Sequence, residues 1–132
     1  MISDPPFLNY PVVGYFDGAA KDGICGAGMV LRMDLKQNLL LRMDAGRGKN
    51  TRAKILALWG LVFFAKSQHI SKLLMLGDSK VVVDWATEIH TVHSIELYHW
   101  LGRVKGIIRL CDSLYFHHIY KEYNTLADDL SK

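Results

Sequence analysis

The chain has 132 residues, of which 50% are hydrophobic and 22% are charged. This length fits one domain with a sizeable core, and the ordinary charged fraction excludes intrinsic disorder. Lys and Arg number 16 against 13 Asp and Glu, so the formal charge of +3 permits nucleic-acid binding without requiring it. All three prolines fall in residues 1–11, which we interpret as an extended lead-in to a domain over residues 12–132.

The two cysteines, Cys25 and Cys111, lie in apolar stretches of unlike context. We expect buried free thiols in a reducing, intracellular compartment, cytoplasmic or nuclear, and neither a disulfide nor a zinc site. The N-terminus lacks the pattern of a signal peptide, and the longest apolar run, residues 55–65, is too short to cross a bilayer. The sequence therefore predicts no association with a membrane.

The first part of the chain has the pattern of three short strands. Residues 12–16 form an apolar run closed by Asp17 and Gly18, which is typical of a strand that ends in a turn. Residues 27–33 and 37–44 predict two further strands, and the short links favour an antiparallel meander. Three glycines are expected to make the link between the first two strands pliable: Gly23, Gly26 and Gly28.

A long helix is predicted next. Either Asn50 or Thr51 can cap it, and its pattern continues to about Lys66. Apolar residues surround this helix almost completely, which is typical of a helix that is covered on several sides.

The second half of the chain alternates strands and helices. Residues 72–76 are a continuous apolar run, as expected of a strand buried on both faces. A helix over residues 80–86 follows, with Ser79 as its cap, and residues 95–110 have helical spacing.

A fifth strand is predicted over residues 113–119, and Asn124 can cap a last helix. The resulting order, βββαβααβα, predicts an α/β fold with a five-stranded mixed sheet whose first three strands are antiparallel.

Three carboxylates stand at the ends of these elements: Asp17, Asp78 and Asp128. Clustered carboxylates suit Mg²⁺ or Mn²⁺, because hard cations prefer oxygen ligands. Two such ions about 4 Å apart can hold both the attacking and the leaving oxygen of a phosphodiester displacement. An Asp after a strand is also a common turn former or helix cap, so each signal alone is weak.

Three segments together resemble the type 1 ribonuclease H family. Residues 15–19 (YFDGA) are similar to its first-strand motif, residues 77–82 (GDSKVV) to its fourth-strand motif, and residues 118–128 (HIYKEYNTLAD) to its closing signature. The resemblance extends from about residue 12 to residue 132. Within the family, the sequence is similar to the plant branch, which includes retroelement-derived reverse-transcriptase-like domains.

The resemblance implies a ribonuclease H-like fold and cleavage of the RNA strand of RNA·DNA hybrids by two divalent metals, Mg²⁺ or Mn²⁺. The family holds these metals with an Asp, Glu, Asp, Asp set, which matches Asp17, residue 54, Asp78 and Asp128. His118 matches a histidine that is thought to help proton transfer and product release. Asn50 matches a residue that reads the RNA 2′-OH.

The chain departs from the family at residue 54, where Lys54 replaces the glutamate. Helical spacing places Lys54 in line with Leu58, Leu61 and Ala65, on a stripe expected to face the core. Either its side chain extends outward from the helix end, or its ammonium lies among the three aspartates in place of a metal. We therefore expect cleavage to be impaired or absent. The alternative is a non-catalytic module of this fold that binds nucleic acid or a protein partner, whether alone or within a larger parent polypeptide.

The basic and aromatic residues permit more than one interpretation. Arg52 and Lys80 are candidate nucleic-acid contacts, although solvated charge is the usual fate of such residues. Trp85, Tyr98 and Trp100 could stack on a nucleic-acid strand, but aromatic residues at these positions are more often core or half-buried. The spacing of three histidines argues against a zinc site: His90, His93 and His99.

Overall fold

The computed structural model describes residues 12–33, 38–70, 72–86, 95–110 and 113–132. The predicted lead-in over residues 1–11 lies outside these ranges, as do His90, His93 and Cys111. In the described part of the chain, no helix is long and apolar enough to cross a membrane. Cys25 is a buried free thiol, as predicted, and burial raises the pKa of this thiol.

A five-stranded mixed sheet forms the centre of the domain. Its strands are β1 (Val13–Lys21), β2 (Ile24–Arg32), β3 (Asn38–Arg47), β4 (Lys72–Gly77) and β5 (Ser113–His118). They lie in the order β3-β2-β1-β4-β5. The first three strands are antiparallel, whereas β4 runs parallel to β1, and β5 runs parallel to β4. This arrangement confirms the predicted fold class.

The helices of the described chain are α1 (Asn50–Ser67), α2 (Lys80–Ala86), α3 (Ile95–Ile108) and α4 (Thr125–Ser131), with a 3₁₀ turn at Lys121–Tyr123. The larger apolar cluster joins one face of the sheet to α1, α2 and α3. A smaller cluster, which includes Val13, Leu76 and Ile119, lies on the opposite face, where α4 packs on β1 and β2. The predicted order βββαβααβα is confirmed.

The first strand is longer than predicted. We expected it to end at Asp17, but β1 continues to Lys21, which pairs with Ile24. The turn lies at Asp22 and Gly23, whose φ angles of 54° and 76° are those of a two-residue hairpin turn. The sequence contains two Asp-Gly pairs, and the second makes the turn, so β2 also begins three residues earlier than predicted.

One predicted cap was wrong, and the other two residues lie at the predicted positions. The residue before α1 is Lys49, without a side-chain cap, and Asn50 Oδ1 instead accepts a hydrogen bond from the Ala20 N–H at 2.7 Å. Asn124 is the N-cap residue of α4, as predicted, although its side chain makes no cap hydrogen bond. Ser79 Oγ accepts the Val82 N–H at 3.4 Å, as expected of a cap.

Candidate active site

The site begins with a close contact between β1 and the start of α1. A Cβ atom on Gly18 would lie 2.1 Å from the carbonyl carbon of Ala53 and 2.4 Å from the Lys54 nitrogen. Only glycine therefore permits this approach. Because side chains alternate along a strand, Asp17 points to the opposite face, toward α4. The contact brings the first turn of α1 beside a buried aspartate.

Glycine also seats α4 on β2. Cβ atoms on Gly26 and Gly28 would lie 2.2 Å from the carbonyl oxygens of Ser131 and Ala127. These glycines are two residues apart and so share one face of the strand. The sequence suggested that these glycines make a pliable link between strands. In the structure they lie within β2, where the absence of side chains lets the backbone of α4 pack directly on the strand.

Asn124 fixes the beginning of α4 to β1. Its side chain is buried, and Nδ2 donates a hydrogen bond to the Phe16 carbonyl at 3.0 Å. Phe16 directly precedes Asp17, so this bond places Asp128, one turn into α4, next to Asp17. Asn124 could be singled out from the sequence but its partner could not, since a bond between positions 108 apart has no local signature.

Lys54 lies beside two of the three aspartates, as the second interpretation predicts, whereas its standing in place of a metal stays a prediction. Its Nζ is 2.5 Å from Asp17 Oδ1 and 3.7 Å from Asp78 Oδ1. The Lys54 side chain is 24% exposed, against 2% for Asp17 and 8% for Asp78. The ammonium therefore bridges two nearly buried carboxylates. It extends from the position on α1 that matches the glutamate of the ribonuclease H family.

A second lysine, which the sequence interpretation missed, neutralises the third carboxylate. Lys132 Nζ lies 3.0 Å from Asp128 Oδ2, and the two residues are four positions apart on α4. An i, i+4 pair of opposite charge was the available signal. Three aspartates thus face two ammonium groups, which leaves one formal negative charge.

The aspartates do not hold protons equally. Desolvation by burial raises the pKa of the Asp17 carboxyl, against the hydrogen bond and charge of Lys54, which lower it. Burial also acts to raise the pKa of Asp128, but hydrogen bonds from Lys132 and Asp17 outweigh it and lower this pKa below 3.8. Asp17 therefore keeps its proton to a higher pH than Asp128 does, and a protonated Asp17 can donate a hydrogen bond to Asp128.

The charges of this arrangement oppose the binding of a pair of divalent ions. Two-metal hydrolysis needs carboxylate oxygens that converge on a space open to cations. Here ammonium groups contact all three carboxylates, and within the described ranges no group of three His, Cys, Asp or Glu could hold a metal ion. Asp78 Oδ2 is buried without a hydrogen-bond partner among those residues. That Asp17, Asp78 and Asp128 bind Mg²⁺ or Mn²⁺ stays a prediction.

The remaining candidate site residues lie around this cluster. His118 Nε2 is 3.1 Å from the Asp78 carbonyl oxygen, so the structure brings this histidine to the aspartates. Asn50 is exposed beside β1, and the exposed Lys80 pairs with Asp84 at 3.1 Å. Arg52 is used internally: Nε donates to the Ala45 carbonyl at 2.8 Å, and Nη1 pairs with Glu96.

The aromatic candidates divide between the core and the surface. Trp85 and Trp100 are partly buried against the main apolar cluster, as the core interpretation predicts. Tyr98 is 66% exposed. His99 lies edge-on to Trp100, with ring centroids 6.2 Å apart.

Known proteins share both the sequence pattern and the fold. Residues 15–132 match the family described as reverse transcriptase-like. The fold is similar to ribonuclease H1 from the halophilic archaeon Halobacterium salinarum, with 24% identity, a TM-score of 0.85, and coverage of 91% of this chain and 93% of that chain. No curated protein matches the sequence.

Two further structures are similar over nearly their whole length. One is the N-terminal ribonuclease H domain of a Mycobacterium tuberculosis protein fused to maltose-binding protein, with 23% identity, a TM-score of 0.86, and coverage of 93% and 91%. The other is a compost-metagenome ribonuclease H1 in complex with an RNA/DNA hybrid, with 23% identity, a TM-score of 0.77, and coverage of 91% and 93%. Because the family match spans residues 15–132, the chain belongs to the reverse transcriptase-like family of ribonuclease H-like domains.

Proposed function

We propose that this domain engages RNA·DNA hybrids and that its two-metal cleavage of the RNA strand is impaired by Lys54. Membership of the family supports the substrate class, as does the similar ribonuclease H1 whose structure contains an RNA/DNA hybrid. The single observation that carries the impairment is the Lys54 ammonium, 2.5 Å from Asp17 and 3.7 Å from Asp78.

Electrostatics gives the size of the effect. Two unit charges about 4 Å apart interact by about 4 kcal/mol at an effective dielectric constant of ~20. Replacing a glutamate by a lysine removes an attraction of this kind for each divalent ion and adds a repulsion. Since about 1.4 kcal/mol corresponds to a tenfold change in affinity, even strongly screened interactions would weaken metal binding by orders of magnitude.

The surface around the cluster supports contact with a hybrid. Asn50 is exposed and held in place by the Ala20 N–H, so its amide is positioned to reach a sugar hydroxyl. Lys80 is 71% exposed and can contact a phosphate despite its pair with Asp84. Arg52, with its guanidinium in internal contacts, is the weakest of the three predicted contacts. We propose that His118 takes part in proton transfer or product release only in a variant that cleaves the RNA strand, such as Lys54→Glu.

A cleavage assay tests the proposal directly. A hybrid with labelled RNA is incubated with Mg²⁺ or Mn²⁺ and with the native chain, Lys54→Glu or Lys54→Gln. We expect little or no cleavage by the native chain and a gain with Lys54→Glu but not with Lys54→Gln, because only glutamate supplies a ligand. Adding Asp78→Asn to Lys54→Glu should abolish the gain. A native chain that cleaves as fast as Lys54→Glu contradicts the impairment.

Binding is tested separately, in EDTA, by fluorescence anisotropy of a labelled hybrid. We expect log affinity to fall linearly with log salt, because phosphate contacts release counterions. If the chain binds no duplex at low salt, the proposal that it binds RNA·DNA hybrids is wrong.

The second candidate function is a non-catalytic module for a protein partner or within a larger polypeptide. In its favour, the same fold occupies 20% of the prototype foamy virus protease-reverse transcriptase chain, at 18% identity and a TM-score of 0.74. We propose a cytoplasmic or nuclear location, which the free thiol of Cys25 supports.

A further inference from the structure

A groove between α1 and α3 lies away from the aspartate cluster. It has a volume of about 450 Å³, and its walls are nearly all apolar. Its lining residues on α1 are Trp59, Phe63, Lys66 and Ser67, and those on α3 are Arg103, Gly106 and Ile107. Phe63 lies nine residues beyond Lys54, about 13 Å along the helix axis. The groove is therefore separate from the proposed cleavage site.

The apolar walls are ordered by ring contacts. Trp59 stacks on Phe63 with ring centroids 5.2 Å apart, and it meets Trp100 edge-on at 5.6 Å. Phe63 nevertheless remains 53% exposed. A rigid aromatic wall that stays in water is typical of a protein-binding surface, because burying it later costs little conformational entropy.

The floor of the groove is open. A Cβ atom on Gly106 would have no heavy atom within 4 Å. Glycine weakens a helix by about 0.5–1 kcal/mol relative to alanine, so an uncrowded glycine in α3 is not explained by packing within the domain. It leaves a notch beside Phe63 that can accept a side chain from another molecule.

Basic charge surrounds the groove. The sequence of α1 contains no acidic residue, and α3 contains only Glu96, which pairs with Arg52. Lys66 and Arg103 stand at the groove, with the Arg103 guanidinium carbon 4.9 Å from the Trp100 ring centroid. No carboxylate of these two helices remains to balance them, so the groove favours an acidic occupant.

From these features we infer that the α1–α3 groove is a docking site for an amphipathic helix of a protein partner, with apolar anchors on one face and acidic residues beside them. Anchors at i, i+3, i+4 and i+7 suit a groove between two parallel ridges of helix side chains. The mainly apolar lining favours such anchors over the hydrogen-bonding edges of nucleic-acid bases.

The experiment uses a synthetic amphipathic peptide about four turns long, with leucine and tryptophan anchors and glutamate flanks. Its binding to the full chain is measured by fluorescence anisotropy beside the same peptide with lysine flanks. We expect Phe63→Ala and Lys66→Glu each to weaken binding of the glutamate peptide about tenfold. There are two matched controls elsewhere on the surface: Tyr98→Ala removes an exposed aromatic side chain, and Lys121→Glu reverses an exposed charge. Each should change the affinity for the glutamate peptide by less than about twofold.

Three results would overturn the inference: no binding of the glutamate peptide, equal binding of the lysine peptide, or equal loss in the control variants. A labelled single-stranded oligonucleotide is tested in parallel. If Phe63→Ala weakens binding of the oligonucleotide and leaves binding of the peptide unchanged, the groove is a nucleic-acid surface and the inference is wrong. Cleavage by Lys54→Glu is unaffected by either outcome, so the two proposals fail independently.

Discussion

Lys54 Nζ lies 2.5 Å from Asp17 Oδ1, and the Asp17 side chain is only 2% exposed. Removing one partner of a buried ion pair leaves the other charge uncompensated, which typically costs about 3–5 kcal/mol. We expect Lys54→Gln to lower the free energy of unfolding by about 2–4 kcal/mol at neutral pH, slightly less because Lys54 is partly exposed. Urea unfolding measures this. The control is Lys21→Gln, which changes an exposed lysine and should cost less than about 0.5 kcal/mol.

Metal ions should stabilise a glutamate variant and not the native chain. Lys54→Glu adds a fourth carboxylate to three that already repel one another, so we expect a lower melting temperature in EDTA. An ion that binds only the native state stabilises it by about 2.7 kcal/mol at a hundredfold excess over Kd. Excess Mg²⁺ should therefore raise the melting temperature of Lys54→Glu and leave that of the native chain unchanged. Equal stabilisation of both proteins would show that Lys54 does not block the ions.

The raised pKa of Asp17 predicts a particular dependence of stability on pH. Burial raises this pKa above 3.8, so the folded chain binds a proton more tightly than the unfolded chain. The contribution of Asp17 is present at low pH and is lost as pH rises through the folded pKa. Relative to Asp17→Asn, the native chain should lose free energy of unfolding as pH rises from about 4 to 7. Asparagine can still donate a hydrogen bond to Asp128, so that contribution is retained.

The control for this measurement is Asp129→Asn, which changes an exposed carboxylate on α4, the helix that carries Asp128. Its stability should run parallel to that of the native chain between about pH 4 and 7. A native chain that gains stability with pH relative to Asp17→Asn would contradict the direction of the Asp17 shift.

Local patterns were sufficient for the element order and for the three aspartates. Hydrophobic periodicity located every strand and helix of the described chain, and helical spacing placed Lys54 on the inward stripe of α1. The errors concern contacts between distant positions. Asn50 and Asn124 have the residue type of helix caps, but their side chains bond to Ala20 and Phe16 on β1 instead. Which backbone group lies within reach is decided by tertiary packing.

The glycines show the same limit. Asp17-Gly18 and Asp22-Gly23 are equivalent turn signals in the sequence, and only the fold separates them. At Gly23, φ is 76°, so this glycine makes the turn. Gly18 lies inside β1. Glycine is required there because the backbone of α1 occupies the space that a Cβ atom would take.

Gly18 provides a strict test of how the site is assembled. In Gly18→Ala the new Cβ would lie 2.1–2.4 Å from backbone atoms of Ala53 and Lys54, which cannot turn aside as a side chain can. Helix α1 must therefore move away, at a cost of about 1–3 kcal/mol or more, as for an overpacked core. The matched control is Gly102→Ala in α3, where a Cβ meets nothing within 4 Å. This change should stabilise the domain by about 0.5–1 kcal/mol, because alanine favours helix over glycine.

Moving α1 should also separate Lys54 from Asp17. We therefore expect the Lys54→Gln change to cost less in a Gly18→Ala background than in the native one, with a coupling of about 0.5–3 kcal/mol, as for residues in contact. The four proteins of this double-mutant cycle are compared by urea unfolding. If the two changes are additive, Gly18 does not set the distance between α1 and Asp17. If Gly18→Ala is as harmless as Gly102→Ala, the close approach of α1 to β1 is not a constraint on the fold at all.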